Sequence, residues 1–172
     1  MKDFKNKKGV TLLELLMVVG IAATISVSAL VFFKATDESN KVSMEAKSIG
    51  TLASGIASMF SGQGHYTGLS NATVVSSNVL PDSMRGPGTT DIKHSWNASG
   101  VTVAPDRVTS TTYDDVFVIT YTSVPDKSCV DLMSKTFSVF ATTTINGTSF
   151  TTVTEIPPLC NAGLANVLTW TR

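Results

Sequence analysis

The chain has 172 residues, 42% of them hydrophobic and 15% charged, with 13 Lys and Arg against 13 Asp and Glu. That length suits one domain plus a membrane segment, and the level charge excludes a nucleic-acid partner held by global attraction. The balance conceals an asymmetry: Lys2, Lys5, Lys7 and Lys8 crowd residues 1–9 against Asp3 alone, leaving the rest of the chain net acidic.

The first predicted element is a helix of two characters. Val10 to Phe33 is an apolar run with Glu14 as its one charge, and about 20 such residues cross a bilayer as a helix. Lys7 and Lys8 precede the run and Lys34 closes it. The positive-inside bias then keeps the basic stub cytoplasmic and places everything after Lys34 outside. Two plain readings compete. One is a secretory signal cut near Val27-Ser28-Ala29, giving Leu30 as the new N-terminus; the other is a simple single-span anchor. Neither accounts for Glu14, because a charge at midspan costs roughly 2.5–3.5 kcal/mol. Past Lys34 the pattern becomes amphipathic. Val42, Ala46, Ile49, Leu52 or Ala53, Ile56, and Met59 or Phe60 form a stripe, with Asp37, Glu38, Lys41, Glu45 and Lys47 assigned to other faces. No proline intervenes before Leu80, and Ser61-Gly62-Gln63-Gly64 predicts the stop. The helix would be roughly 50 residues, or about 80 Å, long. Gly20, Gly50 and Gly55 each weaken it by about 1 kcal/mol against Ala.

Residues 65–100 read as a connecting segment with a turn at Arg85-Gly86-Pro87-Gly88. Val101 to Val103 reads as a short strand and Val116 to Thr122 as the best strand. Pro125-Asp126 opens a short helix through Lys135, with Cys129, Leu132 and Met133 inward. Phe137 to Ile145 and Thr148 to Thr154 flank Asn146-Gly147, the strongest short hairpin signal, and Val167 to Thr171 reads as a terminal strand. The predicted class is α+β, a long N-terminal helix packed on a mainly antiparallel sheet. Cys129 and Cys160 are the only cysteines. In an exported chain such a pair reads as a disulfide, closing a loop of about 30 residues worth roughly 3–4 kcal/mol.

Lys7-Lys8-Gly9 followed by Val10-Thr11-Leu12-Leu13-Glu14-Leu15-Leu16 resembles the prepilin peptidase motif of type IV pilins and pseudopilins. The resemblance implies a type IV pilin fold, cleavage after Gly9, methylation of the new amine on Val10, and assembly through Glu14. An incoming subunit's Glu14 would pair with the Val10 amine of a docked copy. Residues i and i+4 share a helix face, so Val10 and Glu14 lie one turn apart. Val10, where type IVa pilins usually have Phe, favours type IVb. The order of Val116–Tyr121, Cys129 and Asn146-Gly147 is similar to conjugative thin-pilus and bundle-forming pilins, whose C-terminal disulfide-bounded region Cys129 and Cys160 resemble. The implied organisation is a leader at 1–9, a transmembrane and filament-core half at 10–33, an amphipathic half at 34–62, and an α+β head at 63–172.

The function so implied is a structural subunit, made in the inner membrane and polymerised into an extracellular filament. Its partners would be further copies of itself, prepilin peptidase, the inner-membrane assembly machinery and, before assembly, lipid. A minor pilin or secretion pseudopilin is the near alternative; a membrane-anchored or secreted binding domain that never polymerises is the distant one. No catalytic constellation, cofactor loop or metal-ligand spacing emerges. His65 and His94 are expected at the surface, and Asp114-Asp115 as solvated carboxylates rather than a calcium site. The sequons at Asn71, Asn97 and Asn146 are expected to be coincidental in so Asn- and Thr-rich a chain.

Overall fold

The computed structural model describes residues 11–111, 113–161 and 165–172. It divides into a unit over 1–38 and a unit over 39–172. The first predicted element appears as α1, Leu12–Phe60, 49 residues without proline. Its expected first residue, Val10, lies outside the described residues. Thr11 caps it, accepting the Glu14 amide on its hydroxyl at 3.3 Å while its carbonyl accepts the Leu15 amide at 3.1 Å.

In the second unit the α1 stripe covers one face of a sheet. Val42, Ile49, Leu52, Ala53 and Ile56 are fully buried, with Phe60 nearly so. One expectation for this helix fails: Glu45 is buried on the stripe rather than turned outward. The reason is a set of donors waiting on the sheet, described below. The helix stops as expected, with the Gln63 and Gly64 amides both directed at the Phe60 carbonyl.

The segment expected to be a connection is structured. It holds α2, Asn71–Ser76, a 3₁₀ turn at Asp82–Met84, and strand β1, Ile92–His94. Strand β2, Asn97–Asp106, is more than three times the predicted length. Its polar start hid it, because the ladder rather than propensity holds those residues extended. Asn71 extends that ladder: its side chain donates to the Val101 carbonyl at 2.9 Å and accepts the Val103 amide at 2.7 Å. In place of a tight turn at 85–88 the chain bends over 87–90, and the Gly86 amide donates to the Asp91 carbonyl beside the Arg85–Ile92 bridge.

Strand β3, Val116–Val124, alternates as its sequence demands, burying Phe117, Ile119 and Tyr121 on the core side. Helix α3, Asp126–Thr136, buries Cys129, Leu132 and Met133 as expected. The hairpin is shorter than predicted: β4 is Thr142–Ile145 and β5 only Thr148–Ser149. Asn146 at φ 52° and Gly147 at φ 82° form its turn. Beyond it Phe150 leaves the ladder for the core and meets Phe137 at 6.1 Å. Thr152 and Glu155 then form a capping box that starts a new helical turn. Helix α4, Ile156–Leu159, follows with its prolines in the first turn, where no amide is needed.

The last strand, β6, Asn166–Thr171, lies in the middle of the sheet, whose order is β1-β2-β3-β6-β4-β5, antiparallel throughout. Trp170 is the centre of the core. It meets Tyr121 edge-on at 5.2 Å, and its indole N–H donates to the Thr136 hydroxyl at 2.9 Å. That hydroxyl in turn donates to the Leu132 carbonyl at 2.8 Å, so a fully buried ring leaves no polar atom unpaired.

The structure separates two glycines of α1 that the sequence treats alike. A Cβ at Gly50 would meet nothing, whereas one at Gly55 would overlap the Val79 side chain. Gly50→Ala should therefore raise the head's stability by up to about 1 kcal/mol through helix propensity. Gly55→Ala should lower it by about 1–3 kcal/mol through overpacking, and Val79→Ala should restore the loss. Chemical denaturation of the four proteins in detergent checks all three outcomes.

Candidate functional site

Two features of the described chain carry chemistry that a simple fold does not need. The first is the exposed surface of α1 in the first unit. Side chains from Leu12 to Phe33 stand almost wholly outside any core, forming an apolar sleeve of Leu, Val, Ile, Met and Phe. The few hydroxyls are satisfied internally. Thr24 donates to the Ile21 carbonyl at 2.8 Å, Ser26 to Ala22 at 2.8 Å and Ser28 to Thr24 at 2.9 Å. A hydroxyl bonded back to its own helix asks nothing of water, so this surface tolerates hydrocarbon. The helix is long and apolar enough to cross a membrane.

Glu14 interrupts the sleeve in its first turn. A carboxylate there faces the positive end of the helix dipole, which offsets only part of its desolvation. Gly9 and Val10, the predicted processing and pairing residues, lie outside the described residues.

The second feature is the disulfide. Cys129 on α3 is bonded to Cys160 at the end of α4, with Cα atoms 6.0 Å apart. The Asn146 side chain braces the loop it closes, donating to the Leu159 carbonyl at 3.0 Å and to the Asn166 side chain at 2.9 Å. Asn166 is fully buried, accepts the Asn161 amide at 2.8 Å and donates to the Val124 carbonyl at 3.2 Å. Asn71 and Asn146 thus use their side-chain amides to hold neighbouring segments of the chain.

His94 overturns a sequence expectation: it is buried against Tyr121 rather than exposed. Its place two residues after Ile92, on the same face of a strand, was the available signal. Asp114 and Asp115 serve a loop. Asp114 pairs with Arg107 at 2.7 Å, and that bond holds its carboxyl below the ordinary range. Asp115 accepts the hydroxyl of Thr109 and the amides of Val108, Thr109 and Ser110, and is lowered for that reason. Among the described residues no group of three or more His, Cys, Asp or Glu is arranged to hold a metal.

A family model described as PilS N terminal matches residues 39–172, starting where the second compact unit starts. The chain belongs to the PilS N-terminal family. Among curated relatives of this PilS-family chain are the major structural subunits of bundle-forming pilus from Escherichia coli O127:H6 and O111:H-. Each is 27% identical over 81 residues, 47% of the chain. The aligned stretch spans 42% of those relatives' own length. Among solved structures, the type IV b pilin from Salmonella typhi matches with a TM-score of 0.59 at 24% identity, over 74% of this chain and 97% of that one. TcpA, a type IV pilin from Vibrio cholerae El Tor biotype, matches with a TM-score of 0.60 at 10% identity, over 77% and 99%. The PilS-family head therefore has the type IV pilin fold.

The disulfide gives a direct stability test. Cys129→Ser should cost the head roughly 3–4 kcal/mol, with the same loss in the wild type after reduction. Denaturation with and without reductant checks this, and thiol counting on non-reduced wild-type protein should find none free.

Proposed function

We propose that this PilS-family chain is the precursor of a type IVb pilus subunit, a structural polymer rather than a catalyst. The observation that carries the reading is the apolar sleeve of α1 with its single carboxylate in the first turn, on the same helix that anchors a pilin-type head. Sleeve and head need different surroundings. Lipid satisfies the sleeve before assembly, and neighbouring copies of the same sleeve satisfy it afterwards. The curated relatives, major subunits of bundle-forming pilus, support the same role.

In this reading residues 1–9 are a cytoplasmic leader removed by prepilin peptidase after Gly9. Residues 10–33 span the inner membrane and then line the filament, residues 34–62 dock the head, and residues 63–172 form it outside the membrane. Inner-membrane assembly machinery extracts the processed subunit into the filament. The new Val10 amine is a cation at the depth of Glu14, and opposite charges in hydrocarbon neutralise each other's cost. Pairing between an incoming Glu14 and a docked Val10 would make register at the growing end an electrostatic choice.

N-terminal sequencing of mature protein should read Val10 with a methylated amine. Leu30 would mean a conventional signal peptide, and intact Met1 an unprocessed anchor. Gly9→Val should leave uncut precursor in the membrane, visible as a larger band on immunoblots.

Glu14→Val separates insertion from assembly. Removing the carboxylate removes a desolvation cost, so membrane insertion should hold or improve, and processing at Gly9 should continue. Filaments should be absent from sheared fractions, since the Val10 amine of the docked copy loses its counter-charge. Wild-type filament yield from Glu14→Val as the sole subunit would remove the carboxylate from the assembly scheme. A wild-type subunit that forms only a trace of sheared filaments would favour the minor-pilin or pseudopilin reading.

A further inference from the structure

Strands β1 and β2 are joined by the tight turn Ser95-Trp96, between paired residues His94 and Asn97. The turn is gripped from beneath. Glu45 of α1 accepts the Ser95 amide and the Ser95 hydroxyl on one oxygen, both at 2.7 Å, and the Tyr121 hydroxyl on the other at 3.2 Å. The His94 ring stacks on Tyr121 with centroids 4.7 Å apart and planes 9° from parallel. The Trp96 amide donates to His94 Nδ1 at 3.2 Å, and Nε2 lies 2.9 Å from the Thr122 carbonyl.

Those partners determine the tautomer. An amide can only donate and a carbonyl can only accept, so Nδ1 is bare and Nε2 carries the proton. The ring is neutral. A second proton has one place to go, Nδ1, where it would confront the Trp96 N–H head-on. The ring has no room to turn aside towards β2, because even a Cβ at Gly100 would overlap Nε2.

We propose that the β1–β2 turn is an acid-released latch on α1, in which a proton on His94 expels the Trp96 amide and frees Ser95 from Glu45 of the helix while the rest of the sheet stays closed. The groups facing His94 are few. Glu45 on α1 favours the cation, but its oxygens already hold Ser95 and Tyr121, so drawing the imidazolium towards it means releasing Ser95. Tyr121 on β3 stays a neutral donor, since burial and Glu45 push its ionisation well above the ordinary value. Lys93, next along β1, is exposed on the opposite face of the strand. Burial outweighs the attraction of Glu45 and of the Thr122 carbonyl, holding His94 below the ordinary 6.5. The sign follows. The closed turn is fully stable above pH 6.5 and loses stability as pH falls from there to the folded-state value. The latch rests on the geometry of the head and does not depend on polymerisation. The turn forms one wall of an open groove against α1, whose other lining residues include Met44, Ser48 and Ser83.

Residue-resolved amide exchange on the full chain in detergent, corrected for intrinsic rates, tests it. Opening coupled to one proton should raise exchange at Ser95 and Trp96 as pH falls from 6.5 towards the folded-state value of His94, with a slope of up to about tenfold per pH unit, while the Ile119 and Tyr121 amides keep their protection. His94→Gln should abolish the rise. A flat profile at Ser95 and Trp96, an equal rise in β3, or an unchanged rise in His94→Gln would each overturn the latch. Ring-carbon titration of wild-type His94 decides the matter without a variant: a midpoint below 6.5 supports it and one at or above 6.5 overturns it.

Discussion

Between Phe33 and Val42 the surface of α1 changes from hydrocarbon on every side to hydrocarbon along one stripe, and the charges Lys34, Asp37, Glu38 and Lys41 mark the change. A helix cannot bury an all-round apolar surface against one sheet, nor expose a sheet-facing stripe to lipid at no cost. The two halves of one continuous helix are therefore matched to two different surroundings. The match to the family model begins at residue 39, on the striped side of that change. The head is the part with a self-contained core, and the sleeve is the part that needs something else.

Within the head, order comes from polar groups placed in an apolar interior and paired there. Trp170, Thr136 and the Leu132 carbonyl form one chain; Glu45, Ser95 and Tyr121 form a second; Asn146, Asn166 and Val124 form a third. Each would be costly if shifted by one residue, because a buried donor or acceptor without a partner loses about 1–3 kcal/mol. Thr-rich strands with few charges have little else to fix their register. The second chain ties α1 to both β1–β2 and β3, so helix and sheet are keyed by hydrogen bonds as well as by packed methyl groups. The third secures the disulfide loop against the central strand, which makes the covalent link a reinforcement of a contact that side chains already hold.

Elements whose signal is local were legible in the sequence. The unbroken apolar run, the 3.6-residue stripe, the alternation in β3, the Pro-Asp start of α3 and the Asn-Gly turn each follow from a few neighbouring residues, and each is present where expected. Glu45 shows how a local rule misleads. It stands three residues after Val42 and four before Ile49, squarely on the stripe, yet its charge argued for an outward face. Only the arrival of Ser95 and Tyr121 from residues far along the chain makes its burial tolerable. The same holds for His94, whose position in the alternation pointed inward while its polarity pointed outward. In the 65–100 segment β1 and the start of β2 are held by pairing with each other, and β2 pairs with β3 from Val101 onward, contacts that no short window of sequence displays.

The sequence by itself determined the two-part helix, the α+β class, the lone carboxylate at the start of the sleeve and the two cysteines that could pair, because these depend on composition and on spacings of three, four or two residues. The tertiary structure decided the strand order, with the last strand inserted between β3 and β4. It also decided which glycine of α1 is packed against a neighbouring side chain, and which polar side chains are buried. Those outcomes turn on contacts between residues tens of positions apart, where the free energy lies in a partner that a linear reading does not display.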